Sequence, residues 1–365
     1  MSKKGERMHQ FTSKQDFCDW LNQFEHPYLI SGWANQPNLV SISAAGIFNI
    51  QLPFAASELV QSLSQWITAK QQAKEVVEFS FDVLIAPKAL QTKVAHSVNG
   101  VKNIIAVTSA KGGVGKSTTA VNLALAIAHS GAKVGLLDAD IYGPSVPMML
   151  GKQDAKPEVR DNKWMQPILA HGIYTHSIGY LVDKADAAIW RGPMASKALA
   201  QLLNETEWPE LDYLVIDMPP GTGDIQLTLS QQIPVTGAVI VTTPQDLALA
   251  DARKGAAMFE KVDVPVVGLV ENMSYHICSH CGEKEHIFGM GGAQQLASEY
   301  GLALLAQIPL HITVREDIDQ GKPTVVARPE SEHAEHYLAL ADHVCSRLYW
   351  QGIAKPDAIS FTLVE

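Results

Sequence analysis

IIAVTSAKGGVGKSTTAVNLALAIA, residues 104–128, passes from an apolar, β-branched run through a glycine-rich turn into an apolar segment with helical spacing. Strand, glycine loop and helix in that order make a phosphate-binding loop. The glycines let backbone N–H groups approach an anion, and the helix N-terminus adds a favourable field. The loop comprises Ala110, Lys111, Gly112, Gly113, Val114, Gly115, Lys116, Ser117 and Thr118, with Ala110 where the pattern usually has its first glycine. Lys116 is placed for the β and γ phosphates, Ser117 for Mg²⁺, and Thr118 for the α phosphate.

Outward from this loop the same pattern repeats. KVGLLDAD from Lys133, DYLVIDMPP from Asp212, GAVIVTTP from Gly237 and VPVVGLVENM from Val264 are short, nearly continuous apolar runs, each ending in polar, Gly or Pro residues. Strands buried on both faces read this way, so the expected class is α/β: a mostly parallel sheet covered by helices on both faces, with site residues at its carboxyl edge. At that edge Asp217 is the expected Mg²⁺ ligand beside Ser117. Asp140 is placed across the phosphates to orient the attacking water or touch Mg²⁺, with Asp138 behind it, and Gly221 offers a backbone donor to the γ phosphate. The guanine-reading Asn-Lys-x-Asp pattern is absent, since Asn162-Lys163 continues into Trp164-Met165. ATP is therefore the expected nucleotide, with Asn272 either reading the base or merely satisfying a strand end.

Upstream, Phe48, Ile50, Leu52 and Phe54 alternate with polar residues or proline, as do Phe79, Phe81 and Val83. Between them Leu59, Val60, Leu63, Trp66 and Ile67 have helical spacing, and Ser57 is expected to cap that helix. This predicts a small α+β unit over residues 1–90, a linker over 91–103, the nucleotide-binding unit over 104–352 and a tail over 353–365. The chain has 365 residues, 18% charged residues and a net charge of −10, which excludes a disordered chain and argues against nucleic acid as the main partner. No apolar stretch is long enough to span a membrane, and a cytoplasmic location is expected.

Four cysteines are too few for a disulfide framework, and only Cys278 and Cys281 form a Cys-x-x-Cys pair. Such a pair can be a redox dithiol, half a zinc site or half an iron–sulfur site. A thioredoxin-type pair opens a helix, whereas this one follows a strand run. Zinc could draw on His276, His280 and His286. A cubane cluster wants four thiolates, which two chains of a symmetric dimer can supply and one chain cannot assemble locally.

Lys111 within KGGVGKS resembles the signature of the deviant Walker A ATPases, which include septum-positioning, plasmid-partitioning, nitrogenase-iron-protein and iron–sulfur carrier branches. Together with DADIYGPS from Asp138, WRGPM from Trp190, TTPQDLALADARKG from Thr242 and VENMSYHICSHCG from Val270, it looks like the Mrp/ApbC iron–sulfur carrier branch. The resemblance covers about residues 100–352. It implies a homodimer in which Lys111 reaches the partner's nucleotide, and a [4Fe-4S] cluster bridged by Cys278 and Cys281 of both chains. It also implies a cluster donor and apo iron–sulfur proteins as partners. The N-terminal unit stands in the place of that family's MIP18-like domain, with His26-Pro27 instead of its acidic Asp-Pro-Glu signature and with Cys18 alone. A spatial-organising ATPase would need a basic amphipathic end or a basic patch, and AKPDAISFTLVE offers neither. A zinc- or nickel-inserting NTPase is the other alternative.

Overall fold

The computed structural model describes residues 8–182, 192–221, 224–278 and 280–356. The chain opens with a small sheet in which β1 (Val40–Ile42), β2 (Phe48–Leu52) and β3 (Phe81–Ile85) lie side by side. β2 and β3 are parallel, and the connection between them is helix Ser57–Gln72, which buries Leu59, Leu63 and Ile67. Ser57 does not cap that helix as expected. It is the first helical residue, and Ala56 at the cap position makes no side-chain bond. The cap comes from far along the chain: Asp342 Oδ2 accepts from Glu58 N at 3.1 Å, while its Oδ1 accepts from the Ser130 hydroxyl at 2.8 Å.

The large sheet begins with β4 (Val101–Thr108) and β5 (Val134–Asp138). A two-stranded ribbon, β6 (Val159–Arg160) with β7 (Trp164–Met165), stands apart from it. The sheet continues with β8 (Ile168–Ala170), β9 (Ile173–Ser177), β10 (Leu211–Asp217), β11 (Gly237–Thr242), β12 (Val266–Ile277), β13 (Lys284–Glu285) and β14 (Leu304–Leu310). The spatial order is β13-β12-β11-β4-β10-β5-β9-β8, with β14 also on β12. From β14 through β12, β11, β4, β10 and β5 to β9 every pairing is parallel, and only β13 and β8 run against the rest. The expected class is observed.

β4 shows why its sequence is apolar throughout. Ile105 and Val107 enter the core that also holds helix Lys116–His129, whereas Ile104 and Ala106 enter a second core with Leu199 and Leu202 of helix Gly192–Asn204. Alternate residues therefore face different helical layers, and both must be apolar. β9 and β14 lie outside the five runs read from sequence. IYTHS carries three polar residues, yet Thr175, His176 and Ser177 are fully buried: the Thr175 hydroxyl pairs with that of Tyr180, the Ser177 hydroxyl donates to Asp138 and His176 Nδ1 accepts from Ser177 N, while His176 Nε2 has no partner among the described residues.

The two sheets share one continuous core. Phe54 meets the rings of Tyr349 and Trp350, Tyr213 Oη accepts from Ala55 N at 3.4 Å, and Trp350 Nε1 donates to Tyr28 O at 2.9 Å. The segment expected to be a linker is tied down at both ends. Val101–Asn103 already belongs to β4, and Asn103 Oδ1 accepts from Leu90 N at 3.0 Å. Gln91 N donates to Ile353 O and Lys355 N to Ala89 O, both at 2.7 Å, so the start of the expected tail is paired as well. Among the described residues no helix is long and apolar enough to cross a membrane.

Candidate functional site

The phosphate-binding loop lies at the carboxyl edge of β4. Gly113 and Gly115 have φ of +84° and +83°, and a Cβ on Gly113 would meet nothing within 4 Å, so the loop forms an open cradle. Helix Lys116–His129 starts from Gly115 with no side-chain cap, which leaves its first N–H groups for an anion. Ser117 and Thr118 stand half-buried in its first turn. Ala110, in the place of a glycine, is accommodated half-buried, and the Ser109 hydroxyl braces the turn by donating to Lys111 O at 2.8 Å. The Lys111 side chain, also half-buried, makes no hydrogen bond or ion pair with the described residues.

Lys116 is 6% exposed and forms an ion pair with the wholly buried Asp217 at the end of β10. Its ammonium also lies 3.2 Å from Ser117 Oγ. Asp217 Oδ2 is buried with no partner among the described residues. That orphaned carboxylate oxygen, and the Ser117 hydroxyl beside the ammonium that Asp217 Oδ1 holds, are hard oxygen donors of the kind Mg²⁺ takes, so these residues fit that ion.

One sequence expectation is corrected: Gly221 is not a free donor, since its N–H donates to Ser109 O at 2.9 Å, at a φ of +102°. Asp138 lies behind Asp140, as expected, with its carboxylate taken up by neighbouring groups of the chain. Its Oδ1 accepts from Asp140 N at 3.1 Å, and its Oδ2 accepts from Ser145 N, Val146 N and the Ser177 hydroxyl at 3.0 to 3.1 Å. It thereby caps helix Val146–Met149 and holds the segment after β5. Burial, then the neighbouring Asp217, push its carboxyl up to about 7. Asp140, half-buried on the turn it begins, has its carboxyl raised by burial and opposed by the Lys116 charge.

Beside the loop a cavity of about 410 Å³ is lined by Gly115, Thr118, Asn272, Met273, Pro309 and His311, among others. Asn272 is 7% exposed, and its Nδ2 donates to Val114 O at 2.8 Å. The amide both lines the cavity and fastens the loop, and a Cβ on Gly115 would collide with it. Its neighbour Glu271 is structural, accepting from Ala293 N, the Ser274 hydroxyl and Gln307 Nε2.

β12 runs past the sheet edge and ends in a hairpin with β13, where His276 pairs with Glu285 and Ile277 with Lys284. Cys278 N donates to Glu283 O and Gly282 N to Cys278 O, closing a tight tip with Cys278 half-buried and Cys281 exposed. Backbone N–H groups of Cys281 and His280, with the Cys281 thiol, pull Cys278 below the ordinary thiol range, the state a soft metal ligand needs. Cys18 and Cys345 are sealed in the core, 2% and 1% exposed, and burial raises both thiols. Among the described residues no group of three metal-ligating side chains forms, so a single-chain zinc site is not assembled there; His276 Nδ1 meets Leu310 O and His286 Nδ1 meets Ser274 O. Trp190 and Arg191 of the WRGPM motif lie outside the described residues.

A parallel sheet with this loop, ion pair and carboxyl-edge cavity defines a P-loop NTPase. Residues 100–345 match the family model described as NUBPL iron-transfer P-loop NTPase, of the ParA type, and the chain belongs to that family. It is 60% identical over 356 residues to the iron–sulfur cluster carrier protein of Escherichia coli K12, covering 94% of this chain and 95% of that one. It is 53% identical over 253 residues to the iron–sulfur cluster transfer protein NUBPL of Mus musculus, covering 69% and 79%. Among solved structures, a nucleotide-binding protein from Archaeoglobus fulgidus in complex with ADP has a TM-score of 0.57 at 39% identity, covering 66% of this chain and 93% of that one. The cell division ATPase MinD of Pyrococcus furiosus, at 22% identity and a TM-score of 0.52, shares the fold.

Proposed function

We propose that this chain is an ATP-hydrolysing carrier that, as a cytoplasmic homodimer, holds one [4Fe-4S] cluster between two Cys278/Cys281 pairs and transfers it to apo iron–sulfur proteins. The observation that carries this reading is the hairpin tip: it presents two accessible thiols while the other two cysteines are sealed. Two such tips supply the four thiolates a cubane requires, and an exposed cargo can be passed on by thiolate exchange with an acceptor. The names of the relatives agree with it.

ATP binds with its phosphates on the N–H groups of residues Gly112 to Ser117 and its base in the cavity lined by Asn272. Lys116 then exchanges Asp217 for the β and γ phosphates, leaving Asp217 and Ser117 to hold Mg²⁺. Mg²⁺, when bound, neutralises charge on the phosphate oxygens. Asp140 orients the water that attacks the γ phosphorus as the bond to ADP breaks, and Lys111 contributes from the partner chain. Basal turnover is slow, since a carrier needs a switch more than flux.

Metal and sulfide analysis of anaerobically reconstituted protein, with an absorption spectrum, tests the reading. The wild type should hold about four irons and four sulfides per dimer. Cys278→Ala and Cys281→Ala should each remove all of it, whereas Cys18→Ala should leave it unchanged. One firmly held zinc per monomer, lost on mutating His276 or His286, would overturn the carrier reading.

A further inference from the structure

Between the nucleotide cavity and the cysteine hairpin lies a set of side chains that none of the chemistry above uses. His311 lines the cavity and caps helix Ile312–Asp319 through Nδ1, which accepts from Thr313 N at 3.2 Å. Its ring packs on that of His333, with centroids 4.1 Å apart. His333 Nδ1 is buried with no hydrogen-bond partner among the described residues, where packing on His311 is what holds this ring. One turn further along helix Glu332–Gln351, His336 Nε2 lies 3.4 Å from the hydroxyl of Tyr275. Tyr275, three residues before Cys278, carries the Lys284 ammonium 3.5 Å from its ring centroid, and Lys284 belongs to the hairpin's return strand.

The backbone between the two sites is irregular in the same place. From Asn272 to His276, β12 advances four residues while its partner β14 advances two, from Ile308 to Leu310. The excess is taken up by a bulge at Met273, whose φ of +55° is left-handed and rarely adopted by a side chain of this kind. Met273 also lines the cavity. A bulge of this type re-aims whatever follows it, and here the next five residues lead to Cys278.

We infer that the ladder His311–His333–His336–Tyr275, together with the bulge at Met273, couples occupancy of the nucleotide cavity to the position of the Cys278/Cys281 hairpin. A base entering the cavity presses on His311 and Met273. His311 moves only with His333, and the helix carrying His333 also carries His336, which holds Tyr275 and, through its ring, Lys284. The coupling assigns the hairpin two arrangements and lets the cavity's occupant bias them, as coupling between sites requires. Tyr275 and His336 are positioning residues in this scheme. The inference rests on the nucleotide reading of the cavity.

The test needs no cluster. Apo protein, reduced and anaerobic, is alkylated with iodoacetamide with and without saturating ADP, and modification of Cys278 and Cys281 is followed by mass spectrometry. ADP affinity is measured separately. ADP should change the alkylation rate about fivefold, at the low end of ordinary coupling. Tyr275→Phe and His336→Ala should reduce the change below about twofold, with ADP affinity moving by no more than the lost factor of about fivefold and the unfolding midpoint unchanged. His336→Gln, which still offers the hydroxyl a partner, should retain it. Persistence of the full change in Tyr275→Phe and His336→Ala overturns the ladder, and binding of ADP without any change in thiol rate overturns the coupling alone. Absence of ADP binding overturns the nucleotide reading and the coupling with it.

Discussion

Lys116 and Asp217 neutralise one another inside the protein before any phosphate arrives, so the lysine does not wait as a bare charge. Lys116→Ala should abolish ATP turnover, because it removes the one lysine that the loop holds for its own chain's transferring phosphoryl group, Lys111 being the one proposed to serve the partner's. It should also leave the Asp217 carboxylate buried and unpaired, at about 3 kcal/mol of stability. Phosphate release and a denaturant midpoint measured on the same sample check both, and Cys278→Ala serves as the comparison that keeps turnover. Equal loss of turnover in the two variants would place the cysteines in the hydrolytic site. That Lys116 and Ser117 open the helix behind the glycine turn and meet Asp217 is legible in the sequence because a phosphate-binding loop is local and its spacing sets which side chains stand at the helix start. Gly221 could not be read in this way, because Ser109, whose carbonyl engages it, comes from another turn and no spacing in DMPPGTGD records it. Asp138 is an intermediate case: the N–H groups of Asp140, Ser145 and Val146 lie in or beside DADIYGPS, whereas the Ser177 hydroxyl comes from another strand.

The helices and strands show the same division. β4, β5, β10 and β11 are legible because burial on two faces leaves an apolar run. β9 is hidden because its buried residues are polar, and the helix at Ser57 suggests a local cap whereas its cap, Asp342, lies 284 residues beyond Glu58. That distant cap is a titrating group. Burial is the largest influence on Asp342 and lifts its carboxyl to about 6, against 3.8 for an ordinary aspartate. Its folded-state value is raised, so between about pH 4 and 6 the folded chain keeps a proton that the unfolded chain releases. The resulting stabilisation is complete below about pH 4 and is lost as pH rises through 6. Denaturant unfolding at pH 4.5 and pH 7 should show the wild type gaining stability at the lower pH relative to Asp342→Asn, which lacks the titration. The two differences being equal would mean that Asp342 is charged in the folded protein throughout.

Taken whole, the molecule is less divisible than its sequence suggests. Composition marks a small front unit, a polar stretch and a nucleotide-binding unit, and the polar stretch reads as a tether because it lacks apolar periodicity. What holds it in place is backbone pairing to residues 353–355 and one buried amide, Asn103, neither of which leaves a trace in hydropathy. The consequence appears under a protease. Lys93 is exposed in this stretch, so trypsin should be able to cut after it. Because Phe54, Tyr213, Trp350 and Asp342 clasp across the seam, the two fragments should elute together at the volume of the intact protein. They should part only in denaturant, so the nicked chain should behave as a complex of its own two pieces. Fragments that separate in plain buffer would show that the front unit swings freely.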